Sequence, residues 1–252
     1  MQAIISDLHS NIPALKAVLA DIEEQNVEDI VCLGDLVGYG PEPEACIDLV
    51  EERCRFCLSG NHDYAVLTHA VRFNPLAEEA VEYTREVLRP GMFSGSRKRE
   101  RWSFLETCPT RVEEEDVLYV HGSPRDDRNE YILESDITFG NIEKIRGIFE
   151  ITSRLLFVGH THVPGIIEPD FEFRHPEDND ARFDLDPDKK YLINVGSVGQ
   201  PRDGDNRACY VLFDGEAVVY RRVEYNYRET MEKMDRVGPI SKETANRIEL
   251  GH

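Results

Sequence analysis

The sequence predicts an α/β fold in which two packed mixed β-sheets are flanked by helices, and three observations lead to this expectation. Short apolar runs recur along the 252 residues, helical patterns separate the first three runs, and the later runs lie closer together. Alternating strands and helices are typical of a parallel sheet with right-handed crossovers, whereas closely spaced strands are typical of antiparallel pairing. The length is compatible with a single domain over residues 1–252.

Each predicted strand is a short apolar run of the kind that is buried on both faces. The predicted strands cover residues 2–6, 30–33, 55–58, 117–120, 154–158 and 191–195. The first helix begins near Asn11 and Pro13, whose residue types favour a helix start, and the second begins at Pro43. The N-terminal half is therefore predicted to form an open α/β sheet.

Three later segments complete the predicted architecture. Residues 163–223 contain short runs joined by turn signals, which predicts antiparallel strands and a mixed second sheet. Residues 64–110 are predicted to form a mostly helical insertion, with Asn74-Pro75 as a start signal, and this insertion is expected to roof the site. Residues 168–190 are rich in Asp, Glu and Pro and lack periodicity, which favours a solvated loop or irregular hairpin.

The composition limits the classes of partner. Hydrophobic residues make up 40% and charged residues 31% of the chain, as in ordinary soluble globular proteins. No apolar run approaches the roughly 20 residues that span a bilayer, so a membrane role is not expected. The formal net charge of -20 repels nucleic acids and anionic membrane surfaces, so large nucleic-acid partners are disfavoured. Only bound cations would make a phosphate site attractive locally.

The cysteines and the N-terminal segment point to a reducing compartment. Most of the six cysteines lie in or beside apolar runs, where a reduced cysteine packs as a small hydrophobic side chain. Cys54 and Cys57 form a C-x-x-C pair without a second pair at zinc-ribbon spacing, which favours a core role over metal or redox chemistry. The first strand begins directly after Met1, with no basic or long apolar segment before it, so a cytoplasmic location is expected.

Polar residues of metal-binding type follow five of the predicted strands, at the point where each strand ends. They are Asp7 and His9, Asp35, Asn61 with His62 and Asp63, His121, and His160 with His162. The ligand crevice of an open α/β sheet lies outside the carboxyl ends of its strands, so these residues are expected to converge. Alternate residues of extended chain point to one side, and two imidazoles so placed suit ions about 3.5 to 4 Å apart. Asp35 is the natural bridging carboxylate.

The ordered motifs D-x-H, G-D, G-N-H-D, H and G-H-x-H, which span residues 7–162, resemble those of the calcineurin-like metallophosphoesterase superfamily. The resemblance implies an α/β/β/α sandwich that hydrolyses phosphate esters with a hydroxide bridging two divalent metal ions. It also implies two ligand sets. One metal would be held by Asp7, His9, Asp35 and His162, and the other by Asp35, Asn61, His121 and His160. These nitrogen and oxygen ligands suit manganese, the favoured ion, as well as iron, zinc, cobalt and nickel.

Four residues outside the ligand set are expected to assist the reaction. His62 resembles the family's histidine that protonates the leaving oxygen or stabilises charge at the phosphoryl group, and Asp63 is expected to orient it. The segment 194–204 resembles a glycine-rich loop of the smaller members, with a structural turn as an equal alternative. Arg202 in this loop is the favoured phosphate-contacting arginine, and Arg125 is the next candidate.

One departure from the resemblance bears on the substrate. Serine/threonine phosphoprotein phosphatases of this superfamily carry G-D-x-x-D-R-G, in which the arginine contacts phosphate, but Gly38 and Tyr39 replace that Asp and Arg here. A phosphoprotein phosphatase is therefore the less favoured alternative. A phosphodiesterase or small nucleotide phosphatase, acting on a small phosphorylated substrate such as a nucleotide, is favoured.

Two alternatives belong to other classes of protein. A scaffold or regulatory protein could keep the fold without catalysis, and a metal could be purely structural. The basic run 97–101 beside Trp102 could bind single-stranded nucleic acid. Because the run is short and the chain contains 49 acidic residues, a solvated helix face with Trp102 packed inward is favoured.

Overall fold

The computed structural model describes residues 1–71, 73–238, 240 and 242–252, and within them the strands form two six-stranded mixed sheets. Residue 72, which belongs to the predicted insertion, lies outside the described residues. With strands numbered in chain order, the first sheet contains, in spatial order, β3 (Phe56–Cys57), β2 (Asp29–Cys32), β1 (Gln2–Ile5), β11 (Ala208–Phe213), β12 (Ala217–Val223) and β9 (Arg182–Asp184). The second contains β4 (Arg111–Glu114), β5 (Val117–Val120), β6 (Leu155–Val158), β10 (Tyr191–Asn194), β7 (Gly165–Ile167) and β8 (Phe173–Arg174).

The two sheets do not divide between the two halves of the chain as the sequence suggested. Strand β1 pairs in parallel with β2, with Gln2 opposite Asp29, and antiparallel with β11, with Gln2 opposite Phe213. The N-terminal sheet is thus extended by three C-terminal strands. In the second sheet β10 lies parallel to β6 rather than antiparallel. A buried central strand needs hydrogen-bond partners along both edges, and β11 supplies them on the second edge of β1.

Alternation along β1 places its side chains in two different cores. Ile4 packs in a cluster between the sheets that also contains Phe157, Ile193 and Val211. Its neighbours Ala3 and Ile5 face a second cluster formed with the helices that cover the first sheet. A third cluster covers the other face of the second sheet. The layers are therefore helix, sheet, sheet and helix, as predicted.

The helices lie outside the sheets. They are α1 (Ile12–Glu24), α2 (Pro43–Arg53), α3 (Asn61–Leu67), α4 (Pro75–Leu88), α5 (Ser96–Thr107), α6 (Glu134–Thr138), α7 (Ile142–Ile151), α8 (Tyr227–Val237) and α9 (Lys242–Leu250). Asn11 caps α1 and Asn74 caps α4, each by accepting a backbone N–H in the first turn of its helix. None of the helices in the described residues has the length and apolarity to cross a membrane.

Two of the four basic residues in the run of α5 form ion pairs within the fold. Arg97 and Arg101 each lie 2.6 Å from Asp48 of α2, and Arg101 also pairs with Glu44. Trp102 packs against the core on the helical side of the first sheet. These contacts fasten the end of the insertion to α2, in agreement with the expected inward packing of Trp102. The acidic segment 168–190 contains only β8, a short 3₁₀-helix and β9.

Candidate metal centre

The loops that follow β1, β2, β3, β5 and β6 bring their polar side chains to one buried place. Within the described residues, three groups have ligand atoms that all lie within 4.8 Å of one another. They are Asp7 with His9 and His162, Asp35 with His121 and His160, and His9 with Asp35 and His62. Asn61 joins the second group, because its Oδ1 lies 3.1 Å from His121 Nε2. The seven predicted ligands thus form one cluster.

Asp35 lies between the group that contains Asp7 and His9 and the group that contains His121 and His160. Its Oδ2 is 3.4 Å from His121 Nε2 and 3.7 Å from His9 Nε2. On the other side, Asp7 Oδ1 is 3.2 Å from His162 Nε2. This Asp7 oxygen is fully buried and has no hydrogen-bond partner among the described residues. A buried carboxylate oxygen without a donor is costly, and a cation would satisfy it.

Four histidines are oriented by the same kind of contact with the backbone. One nitrogen of each ring lies within hydrogen-bond distance of a backbone carbonyl, which fixes the ring and leaves the other nitrogen available as a ligand. The pairs are His9 Nδ1 with Val37 O at 3.2 Å, His121 Nδ1 with Leu33 O at 3.0 Å, His160 Nε2 with Asn129 O at 3.2 Å, and His162 Nδ1 with Gln200 O at 2.6 Å. Such outer partners are typical of histidine ligands to metals.

The backbone at the cluster is held in an unusual conformation. Five of the seven predicted ligands have positive φ angles, which residues other than glycine rarely adopt. They are Asp7, His9, Asp35, His160 and His162, with φ between 44° and 67°. Strain of this kind persists where the surrounding structure enforces it, and it concentrates at functional sites. Here it turns the side chains sharply after each strand ends.

Two glycines allow the loops to approach one another. Asp35 Oδ1 accepts the backbone N–H of His62 at 2.8 Å, and a Cβ at Gly60 would overlap that carboxylate oxygen. Gly199 donates its N–H to the Asp7 carbonyl at 2.9 Å, and a Cβ there would overlap the Leu8 carbonyl. The glycine-rich segment 194–204 therefore packs directly against the loop that carries Asp7 and His9.

The electrostatics of the cluster favour a cation. Burial alone would raise the pKa values of Asp7 and Asp35, yet both lie well below the ordinary value because His162 and His121, respectively, favour the charged carboxylates. Burial would likewise lower the pKa of His121, but Asp35 outweighs it and raises that pKa to about 9. The two carboxylates thus attract positive charge into a site from which water is largely excluded.

His62 lies beside the cluster, with its ring centroid 4.9 Å from that of His9. Burial is the main reason that its pKa falls to about 4, and the charge of Arg202 acts in the same direction. The imidazole is therefore neutral at neutral pH. Its Nδ1 is buried and has no hydrogen-bond partner among the described residues. A buried polar atom without a partner is uncommon in folded proteins.

The Asp63 carboxylate has backbone partners in place of the His62 ring that it was expected to orient. Its carboxylate accepts the backbone N–H groups of Leu36 and Val37 at 3.0 and 3.2 Å and that of Gly60 at 3.0 Å. In the described structure these three backbone donors, rather than the His62 ring, occupy the carboxylate. Asp63 therefore joins the Asp35 loop to the start of α3. Burial raises its pKa to about 7.

The two candidate arginines are placed differently. The Arg202 backbone N–H donates to the His162 carbonyl at 3.2 Å, and its guanidinium lies 5.6 Å from the centre of the Tyr39 ring. Tyr39 in turn contacts the His9 and His62 rings, so Arg202 is at the rim of the cluster. Arg125, by contrast, pairs with Glu130 at 3.3 Å, so its expected contact with the phosphate is not supported.

The sequence did not predict two residues that contact His160. Tyr131 stacks on His160 with ring centroids 3.8 Å apart, and the Asn129 carbonyl orients the same histidine. Neither residue belongs to a motif, because they lie in the loop after His121 and act through a ring face and a main-chain oxygen. Sequence carries no signal for a carbonyl partner, since every residue has one.

Comparisons with known proteins agree with this geometry. Residues 1–217 match the family model described as the calcineurin-like phosphoesterase superfamily domain. The chain is 37% identical over 243 residues to an uncharacterized protein of Methanocaldococcus jannaschii, covering 93% of this chain and 91% of that protein. A solved metallophosphoesterase of Sphaerobacter thermophilus is 37% identical with a TM-score of 0.82, covering 100% of this chain and 99% of that one. A hypothetical protein of Pyrococcus horikoshii, 20% identical with a TM-score of 0.74 and the same coverage, shares the fold.

Proposed function

Because the chain belongs to the calcineurin-like phosphoesterase superfamily, we propose that it hydrolyses phosphate esters of small molecules with the help of two divalent metal ions. One observation carries this proposal. Four imidazoles, each fixed through one nitrogen by a backbone carbonyl, surround two buried carboxylates. Nitrogen and oxygen donors without thiolate suit manganese, our first choice, and also iron, zinc, cobalt or nickel.

Each ion has its own set of ligands in this proposal. Asp7, His9, Asp35 and His162 would hold one ion, and Asp35, Asn61, His121 and His160 would hold the other. Two such ions, when bound, lower the pKa of water and hold a phosphate oxygen. Asp35 lies between the two sets and would keep them at a fixed separation. The ions would also make the site locally positive, although the whole chain carries a net charge of -20.

Two residues beside the ligands would act on the substrate. His62 would donate a hydrogen bond to the leaving oxygen or to the phosphoryl group. Arg202 would bind a phosphate oxygen, and its buried Nε has no hydrogen-bond acceptor within the described residues. Asp63 would act indirectly by holding the Asp35 loop.

We propose a phosphodiester or small nucleotide rather than a phosphoprotein as the substrate. Gly38 and Tyr39 stand where phosphoprotein phosphatases carry Asp and a phosphate-binding Arg, and the Tyr39 ring packs on His9 and His62. Nucleic acids are not the proposed partners, because the arginines at 97 and 101 are occupied by acidic residues. We further propose that the protein acts in the cytoplasm, which the six free cysteines support.

Assays of the purified protein test the metal-dependent reaction directly. With manganese present, we expect turnover of bis-p-nitrophenyl phosphate and p-nitrophenyl phosphate that EDTA abolishes. Asp35→Asn and His121→Ala should each lower kcat/KM by at least about 100-fold, because losing a ligand costs more than losing an outer hydrogen-bond partner. Exposed His252→Ala is the matched control and should retain activity. Undiminished turnover in both ligand variants would contradict the proposal.

Metal analysis separates the remaining alternatives. About two metal ions per chain, bound reversibly without loss of the fold, are expected for a catalytic centre. Absence of metal after manganese supplementation would instead favour a scaffold or regulatory protein. Unfolding on chelation together with no turnover would indicate a structural metal. A preference for phosphopeptides over small phosphate esters would favour a phosphoprotein phosphatase.

A further inference from the structure

A cleft of about 700 Å³ opens directly beside the metal centre. Its inner end is lined by Asn61, His62 and His160, and it continues along residues 64–71, 73–77 and 126–131. Small-molecule sites are typically clefts of about 300 to 1,000 Å³. The part of a substrate that extends from the phosphoryl group would therefore have room between the first helices of the insertion and the loop after β5.

Four aromatic rings line this cleft: Tyr39, Tyr64, Phe73 and Tyr131. The rings of Tyr39 and Phe73 lie on His62, with centroid distances of 4.6 and 4.9 Å. Tyr131 stacks on His160 at 3.8 Å and an interplanar angle of 23°, yet the residue remains 42% exposed. Aromatic surface thus begins at the residues proposed to handle the phosphoryl group and extends outward from them.

Several contacts limit the movement of the residues that carry these rings. Phe73 packs against Tyr39 in a small apolar cluster at the start of α4. The guanidinium of Arg128 lies 4.5 Å from the centre of the Tyr64 ring. The Tyr131 carbonyl accepts a hydrogen bond from Lys144 at 2.5 Å. Rings that are already fixed lose little conformational entropy when a ligand binds, which favours affinity.

Two amide side chains in the lining are already engaged with the protein itself. Asn74 Oδ1 accepts the N–H of Ala77, and Asn129 Nδ2 donates to Asp126 at 3.0 Å. Recognition in this cleft therefore depends more on ring faces than on these polar groups. Stacking on aromatic side chains accepts any flat ring, because every such ring presents a π-face.

We propose that the cleft binds a planar aromatic group attached to the phosphoryl group of the substrate, either an aryl ring or the base of a nucleoside. This inference rests on the proposed function of the metal centre, because the phosphoryl group fixes the ligand at the inner end. It predicts that ring planarity matters more than the identity of the ring.

Phosphonates provide the test, because their carbon–phosphorus bond resists hydrolysis and their binding can be measured without turnover. Isothermal titration calorimetry on the manganese-supplemented full chain would compare methyl-, cyclohexyl- and phenylphosphonate with the methylene phosphonate analogue of adenosine monophosphate. We expect phenylphosphonate or the nucleoside analogue to bind more tightly than cyclohexylphosphonate, by about tenfold or more, because stacking of a planar ring on an aromatic side chain contributes about that much to affinity. The tighter of the two identifies the source of the ring.

Variants assign the effect to the cleft. Tyr64→Leu and Tyr131→Leu should each reduce the preference for the planar ligand over cyclohexylphosphonate by at least about threefold. Phe93→Leu, at a 96% exposed residue of the insertion, is the matched control and should keep the preference. The ratio of two ligands corrects for any general loss of folded protein. An equal loss of affinity for all ligands in both variants would contradict the role of these rings.

The outcomes distinguish this inference from the proposed function. Methylphosphonate could bind and bis-p-nitrophenyl phosphate could be hydrolysed while no planar ligand binds more tightly than cyclohexylphosphonate. In that case the proposed role of the cleft is wrong, and the proposed function of the metal centre is retained. If methylphosphonate does not bind and no phosphate ester is hydrolysed, the proposed function fails, and the cleft inference falls with it.

Discussion

The candidate metal centre and the aromatic cleft adjoin one another, but they differ in burial and in what holds their side chains. The carboxylates and imidazoles of the centre are buried, and backbone groups of neighbouring loops fix their orientation. The cleft rings Tyr64 and Tyr131 are nearly half exposed and come from a helix and a loop at the surface. The candidate centre is buried and strained, whereas the outer part of the cleft wall is exposed at Tyr64 and Tyr131. In the proposed function, the chemistry would depend mainly on the buried centre and the choice of substrate mainly on the cleft wall.

Apart from the loss of a proposed ligand, the largest effect is expected where a small change reaches the buried centre through the backbone. Gly60→Ala places a Cβ on Asp35 Oδ1, and the crowding must displace either the carboxylate or the start of α3. We expect manganese affinity and kcat/KM to fall by about 10- to 100-fold, as when an outer partner of a ligand is lost. Metal titration and steady-state kinetics measure both quantities.

The control for this change is Gly95→Ala, because a Cβ at Gly95 meets no atom within 4 Å. Gly95 is the N-cap of α5 and is not among the residues that line the cleft, so the pair of variants applies the same substitution at a crowded and at an open position. Gly95→Ala should keep full activity and metal affinity. Unchanged metal affinity in Gly60→Ala would show that the centre is less rigid than its contacts indicate.

The next effect concerns the boundary between the two regions, where the two arginines differ. Arg202→Met removes a guanidinium at the rim of the cluster and should raise KM for small phosphate esters by about tenfold or more, the value of a charge-assisted hydrogen bond. Arg125→Met removes a guanidinium that pairs with Glu130 and should leave KM nearly unchanged. Initial-rate kinetics on p-nitrophenyl phosphate measure both. The reverse order of effects would restore Arg125 as the phosphate contact.

The difference between these arginines also shows what the sequence could predict. The strands and the candidate metal-ligand motifs could be predicted, because apolar runs indicate buried strands and each motif follows the end of a strand. The pairing of β1 with β11 could not be predicted, because Gln2 pairs with Phe213, which is far away in the sequence, and no local pattern indicates that pairing. The division of strands between the sheets was wrong for this reason.

Side-chain partners within the site were predictable only where residue type determines them. The approach of His9, His121 and His162 to the carboxylates follows from their motifs. The partners of Asp63 could not be predicted, because backbone N–H groups of Leu36 and Val37 donate to its carboxylate and a sequence does not show where such donors lie. For the same reason the sequence does not predict which backbone carbonyls orient the histidine rings.

The smallest effect is expected at the attachment of the insertion, far from the chemistry. Arg101→Met breaks contacts with Asp48 and Glu44 and should lower the free energy of unfolding by about 1 kcal/mol at low salt, the upper range for ion pairs near a surface. Arg99→Met, at an exposed residue of the same helix, is the control and should have almost no effect. Urea unfolding at low salt and at about 1 M salt measures the difference, which screening should reduce.

Because Arg101 touches neither the ligands nor the cleft rings, kcat/KM should stay unchanged while stability falls. A matching fall in kcat/KM would mean that the attachment of the insertion positions the site, and the separation of chemistry from substrate choice would then have to be abandoned.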